Sequence, residues 1–298
     1  MNRWLKLGLA LILVIIVAFI GISAYLGHSM TRVERIPVEG DPSQLGMEYE
    51  DVSFASMDKA LTLRGWYIPI HDSSQIIIMV HGNDQNRADS SIKMLDIASG
   101  LVERGYNVLM FDLRGHGESD GDMTSAGYHE KKDLIGAVEY VKSHGFDSIG
   151  VLGFSLGAST AILAAAEDND IDAVVADSCF ADLKDMMEPE FSKRTKSPKF
   201  FLRPLLFMVK IMYGVDFNAI RPIEYVNEIA PRPILFIHGE KDETVPVEHA
   251  YRLYEASQNP ENQLWVVPDA GHVGSYVLHP EQYIDNITAF FGTALKPR

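Results

Sequence analysis

The stretch GVLGFSLGAST, residues 150–160, sets Ser155 two positions after Gly153 and two before Gly157. An apolar run precedes it and an alanine-rich run follows, so the serine falls where a strand meets a helix. A residue at such a junction is forced into a sharp turn. Its neighbours two before and two after must be small, because backbone and helix approach closely there. The hydroxyl then projects from the sheet at a helix N-terminus, where the end dipole and free amides favour negative charge. The bland alternative is an ordinary helix N-cap. A hydroxyl is a poor nucleophile at neutral pH, so chemistry here also needs a base and a carboxylate to orient that base.

Two later strand ends supply both. RPILFIHGEKDETVP puts Asp242 in the loop after one strand, and NQLWVVPDAGHVGSY puts His272 in the loop after the next. The order serine, aspartate, histidine is the one that a serine on a strand-to-helix elbow requires. Asp177 also ends a strand and competes with Asp242 as the orienting acid. The competing reading of His272 is a satisfied surface histidine. Asp269, three residues before His272, reads as a turn former. His81 and His116 read as loop supports, with Asp112 and Arg114 expected to pair locally. Cys179 is the single cysteine and reads as a small buried apolar residue. One cysteine rules out an intrachain disulfide framework and a cysteine-based zinc site. The ten histidines show no HExxH spacing, so neither a metal nor another cofactor is expected.

With these residues in place, the sequence resembles the α/β hydrolases, from about Met47 to the end. It is similar to membrane-anchored bacterial members of the serine-aminopeptidase and monoglyceride-lipase types. The stretches that carry the likeness are MVHGND, FDLRGHGESDG, GFSLGAST, HGEKDETVP and DAGH. The resemblance implies Ser155 as nucleophile, His272 as general base and acid, and Asp242 as orienting acid. It also implies an oxyanion hole made by the backbone N–H groups of Leu156 and Asn83. Relatives often carry glycine where this chain has Lys59 or Ala60, which affects an early hairpin and not the site. A dehalogenase or epoxide hydrolase would need a carboxylate at position 155.

The elements that must position these residues alternate along the chain. YEDVSFAS and LTLRGWYIPI read as two early strands, joined by a turn near Met57 and Asp58. QIIIMVHG, YNVLMFD, SIGVLGF, IDAVVADS, RPILFIHG and NQLWVVPD read as strands, the most apolar of them buried on both faces of a sheet. Helices are expected over 88–105, 127–145, 155–167, 246–257 and 280–295. This alternation predicts a mainly parallel sheet covered on both faces, with chemistry gathered at the carboxyl ends of its strands.

The 298 residues are 47% hydrophobic and 22% charged, enough for a packed core. A net charge of −15 repels phosphate backbones and argues against nucleic-acid binding. From Leu7 to Leu26 no residue is charged, a length that spans the hydrocarbon of a bilayer. Trp4 and Tyr25 lie near the two ends of this run. Residues 1–30 therefore read as an uncleaved membrane anchor, against the competing reading of a cleaved signal peptide. Arg3 and Lys6 favour a cytoplasmic N-terminus, which predicts a catalytic domain on the outer face. Residues 31–46 read as a linker, and 47–298 as the hydrolase domain.

Between about 180 and 225 the alternation breaks. The segment is too apolar for a solvated loop, and it reads as a helical cap inserted over the nucleophile. Phe201, Leu205, Met208 and Met212 are the expected lining of an acyl-chain pocket, unless they only pack the cap on the body. Three functions follow: a serine hydrolase of esters or thioesters with an apolar acyl group, an aminopeptidase or amidase on the same triad, or an inert tethered binding protein. The expected partners are a small-molecule or lipid substrate and the membrane itself.

Overall fold

The apolar runs expected as doubly buried strands form the centre of one eight-stranded sheet. The computed structural model describes residues 3–70 and 73–295. Residues 1–2 of the expected anchor and 296–298 of the expected domain lie outside this range. The chain begins with a long helix, α1 (Arg3–Thr31), then forms β1 (Glu50–Ala55), β2 (Thr62–Ile68) and β3 (Gln75–Val80). It continues through α2 (Met94–Glu103), β4 (Asn107–Phe111), α3 (Glu130–Ser143), β5 (Ser148–Phe154), α4 (Leu156–Glu167) and β6 (Ala173–Asp177). Two helices follow, α5 (Leu183–Thr195) and α6 (Leu202–Tyr213). The body closes with β7 (Ile234–Gly239), α7 (Glu248–Ala256), β8 (Gln263–Val267), α8 (Ser275–Leu278) and α9 (Pro280–Ala294).

The strand order is β1-β2-β4-β3-β5-β6-β7-β8. The hairpin β1–β2 is antiparallel, β2 pairs antiparallel with β4, and every later pairing is parallel. This is the α/β-hydrolase architecture. Helices α3, α4 and α7 bury Val138, Ile162 and Leu253 against one face. Helices α2 and α9 bury Ile97, Leu101, Ile287 and Phe291 against the other. At the hairpin turn Lys59 holds φ +57°, the left-handed conformation that favours glycine. The helix expected over 88–105 starts only at Met94. Asp89 accepts from the amide and hydroxyl of Ser91, a local turn that competes with helix, and Lys93 is left-handed at φ +63°.

The segment expected as a linker lies along the body. Arg32 forms a β-bridge with Met123, and the Arg35 guanidinium donates to the carbonyls of His116, Gly117 and Gly121. The segment expected as a cap has its own core, in which Leu202, Leu205 and Val209 of α6 meet Phe180, Leu183 and Phe217. Helix α1 is long and apolar enough to cross a membrane.

Candidate active site

Parallel register brings the reacting strands to a common edge. Val80 of β3 pairs with Gly153, Gly153 with Ala176, and Ala176 with Phe236. Ser155, Asp242 and His272 all follow strand ends at this edge. Ser155 sits at φ +52° and ψ −111°, a rare conformation for a residue with a side chain. The two glycines make that turn possible. A Cβ on Gly153 would lie 2.3 Å from the Gly157 carbonyl oxygen, and one on Gly157 would lie 2.1 Å from that of Val80. The Ser155 amide donates to the Asp177 carbonyl at 2.8 Å, which pins the elbow to the neighbouring strand.

The Ser155 hydroxyl donates to His272 Nε2 at 2.9 Å, and His272 Nδ1–H donates to Asp242 Oδ2 at 2.7 Å. The structure thus brings together the three residues expected to act as a unit. The other Asp242 oxygen accepts from the amides of Thr244 and Val245 at 2.9 and 2.8 Å. Burial alone would raise the Asp242 pKa. Hydrogen bonds from His238, His272 and the Val245 amide outweigh it and hold the carboxyl well below the usual range. Asp177, the competing acid, instead receives the Tyr283 hydroxyl at 3.0 Å and that of Ser178 at 3.0 Å. Burial pushes its pKa up to about 6, only partly offset by these hydrogen bonds.

Leu156 opens α4, where an N–H has no intrahelical acceptor. Asn83 and Leu156 border the same cavity as Ser155. The loop that carries Asn83 is held from behind. His81 Nε2 accepts from the Leu113 amide at 3.0 Å, and its Nδ1–H donates to the Gly82 carbonyl at 2.7 Å. His116 Nε2 accepts from the Asp84 amide at 3.2 Å. The local pairing expected of Asp112 and Arg114 does not form. Arg114 pairs with Asp133 on α3 at 2.6 Å, and Asp112 pairs with Arg87, because each partner is brought in by the fold. Asp269 pairs with Lys241 at the surface. Cys179 is buried and burial pushes its thiol pKa up, so it has no nucleophilic character here.

Ser155 lies between two cavities. One, of about 200 Å³, is lined mostly by apolar side chains, among them Phe180, Leu183, Met186, Met187 and Val245. The other, of about 280 Å³, is bordered by Asp84, Asp89, Ser91 and His272. Phe201, Leu205, Met208 and Met212 border neither cavity. Leu205 faces the cap core, Phe201 packs on Phe19 of α1, and Met212 is exposed. The adaptable methionines beside Ser155 are those of α5, which starts directly after β6 and so sits over its carboxyl end. Met30, from the last turn of α1, also borders the apolar cavity. Sequence reasoning missed His238 as well. Its Nε2 lies 3.4 Å from Asp242 Oδ2 and donates to the Val245 carbonyl at 2.7 Å. Its place four residues before the acid in FIHGEKD is the one sequence signal for it.

Comparisons with known proteins agree with this architecture. Residues 97–298 match the model of the prolyl oligopeptidase family. The Bacillus subtilis protein YqkD is 31% identical over 233 residues, covering 76% of this chain and 74% of that protein. A Saccharomyces cerevisiae membrane protein, YNL320W, is 23% identical over 235 residues, covering 78% of this chain and 76% of its own. Among solved structures, the Pyrococcus furiosus esterase Pf2001 superposes with a TM-score of 0.76 at 31% identity. The match covers 90% of this chain and 99% of the esterase.

Proposed function

Since the chain belongs to the prolyl oligopeptidase family of α/β hydrolases, we propose that it is a serine hydrolase of carboxylic esters or thioesters with an apolar acyl group. The observation that carries this reading is the continuous hydrogen-bond path Ser155–His272–Asp242 at the floor of an apolar cavity. Ser155 Oγ attacks the substrate carbonyl carbon while His272 Nε2 takes its proton. Asp242 keeps Nδ1 protonated and stabilises the imidazolium. The oxyanion is received by the amides of Leu156 and Asn83, donors typically worth about 3 kcal/mol each. His272 then protonates the leaving alcohol or thiol, and an acyl group remains on Ser155. Water, deprotonated by His272, attacks the acyl-enzyme and releases the acid. An engineered apolar cavity of about 150 Å³ holds benzene, so this slightly larger one suits acyl chains on the order of six to eight carbons.

A second reading, an amidase or aminopeptidase on the same triad, draws on Asp84 and Asp89. They border the polar cavity beside Ser155, where a substrate ammonium finds negative charge. In either case α1 anchors the domain in a membrane, with the catalytic body on the outer face. The test is labelling by a fluorophosphonate, with Ser155→Ala as control, followed by turnover of p-nitrophenyl esters of increasing length and of aminoacyl p-nitroanilides. Ser155-dependent labelling and a preference for medium-chain esters are expected. Equal labelling of both proteins would remove Ser155 as nucleophile, and faster anilide turnover would favour the second reading.

A further inference from the structure

Helix α1 is exposed throughout residues 3–18, and its buried face begins only at Phe19. Leu7–Ala18, the bare part of the uncharged run, covers about 18 Å at 1.5 Å per residue. The hydrocarbon of a bilayer is about 30 Å thick, so about 12 Å of it must lie level with Phe19–Leu26. At that level α1 is already packed against the cap. Phe19 meets Phe200 and Phe201 with ring centroids 6.3 and 4.8 Å apart. Ser23 and Gly27 present a small-residue face, and a Cβ on Gly27 would lie 2.9 Å from Val209 Cγ2. His28 stacks on Tyr213 at the far end of α6. Thus α6 runs beside α1 from membrane depth outward.

The outer side of this segment is apolar. Phe200, Phe207 and Ile211 are 64%, 61% and 62% exposed, and their spacing puts them on one stripe. Lys199, Arg203 and Lys210 are exposed with them, Lys210 pairing with Asp216. Residues 191–215 hold six lysines and arginines and no acidic residue, in a chain of net charge −15. An apolar stripe edged by long cationic side chains suits a helix whose outer side meets lipid, the stems buried among acyl chains and the charged heads reaching toward anionic headgroups.

We propose that α6 stands beside α1 in the outer half of the bilayer that α1 crosses, with Phe200, Phe207 and Ile211 among the lipid acyl chains and Lys199, Arg203 and Lys210 reaching toward headgroup phosphates. The occupant is the membrane itself, and the surface is continuous with the anchor. Met30, four residues beyond Leu26, borders the cavity at Ser155, so this docking sets that cavity close to the lipid surface. The docking is independent of the reaction proposed above.

The test uses the full chain in phosphatidylcholine–phosphatidylglycerol vesicles. Phe207→Cys, Ile211→Cys and Ser143→Cys each receive an environment-sensitive fluorophore. Ser143 ends α3 at the opposite, amino-terminal edge of the sheet, and buried Cys179 is checked with the unsubstituted chain. Doxyl-labelled lipid is expected to quench the probes at 207 and 211 and to spare the one at 143. Quenching at 207 and 211 no greater than at 143 overturns the proposal. Probes that are shielded but quench one another as protein density rises assign the face to a second copy, and also overturn it. Equal quenching in pure phosphatidylcholine overturns the part assigned to the cations. No readout requires turnover, so a result here is separable from the fate of the hydrolase reading.

Discussion

The turn at Ser155 and the seam between α1 and α6 both depend on glycine, but they are held by different forces. At the turn, Gly153 and Gly157 face backbone atoms that belong to the central sheet and its helix, and nothing nearby can yield. At the seam, Gly27 faces the tip of a valine side chain, and ring contacts beside it leave room for adjustment. The first arrangement fixes one hydroxyl to within hydrogen-bond reach of one imidazole. The second joins α1 to α6, whose outer side stays uncovered by protein. The contrast teaches that the proposed reacting groups rest on contacts that tolerate no substitution, whereas the seam beside the apolar cavity rests on contacts that can be tuned.

The largest effect that tests this contrast is on the triad. Asp242→Asn keeps the shape but removes the acceptor that holds Nδ1 protonated, and kcat should fall about 10⁴-fold. Retention of kcat within tenfold, measured with a soluble ester, would break the assignment of the acid. Next comes Gly157→Ala, which sets a Cβ against the Val80 carbonyl. Strand and helix must separate, at a cost of about 3 kcal/mol, read as a lowered denaturation midpoint and lost activity. Gly27→Val should cost only about 1 kcal/mol and leave turnover of short soluble esters intact. A loss as large as that of Gly157→Ala would erase the distinction between the two regions.

A pH effect arises behind the turn. Burial, with His116 nearby, lowers the pKa of His81 from 6.5 to about 3, so the fold holds it neutral while the unfolded chain takes up a proton below 6.5. Its contribution is therefore complete above pH 6.5 and is lost as pH falls toward 3, by about 1.4 kcal/mol per unit. Denaturant midpoints at pH 7.5 and 5 should fall further for the native chain than for His81→Gln. Equal falls would show that His81 accepts a proton in the fold.

Much of the candidate site's geometry was legible because its requirements are local. Two small residues at fixed distance from Ser155, and loops directly following apolar runs, leave their mark in ten or fifteen residues of sequence. The choice of acid was less legible, since Asp177 and Asp242 both end strands. Only the fold shows that Tyr283 of α9 occupies Asp177 while His272 reaches Asp242. The segment 180–225 was legible as helical and apolar, but not in how its helices are oriented. Met208 and Met212 are as apolar as Met186 and Met187, and composition does not say which pair overhangs the serine. The partners of Asp112 and Arg114 were hidden for a similar reason, lying 25 and 19 residues away along the chain.

Order and spacing along the chain determined the alternating architecture, the strained serine and the apolar span of α1, because each follows from steric and hydrophobic rules acting over a few turns. Tertiary structure alone decided which carboxylate meets the imidazole, which methionines line the cavity and that the end of α1 helps to wall it. Those are contacts between segments far apart in sequence, and no local pattern encodes the distance that closes them.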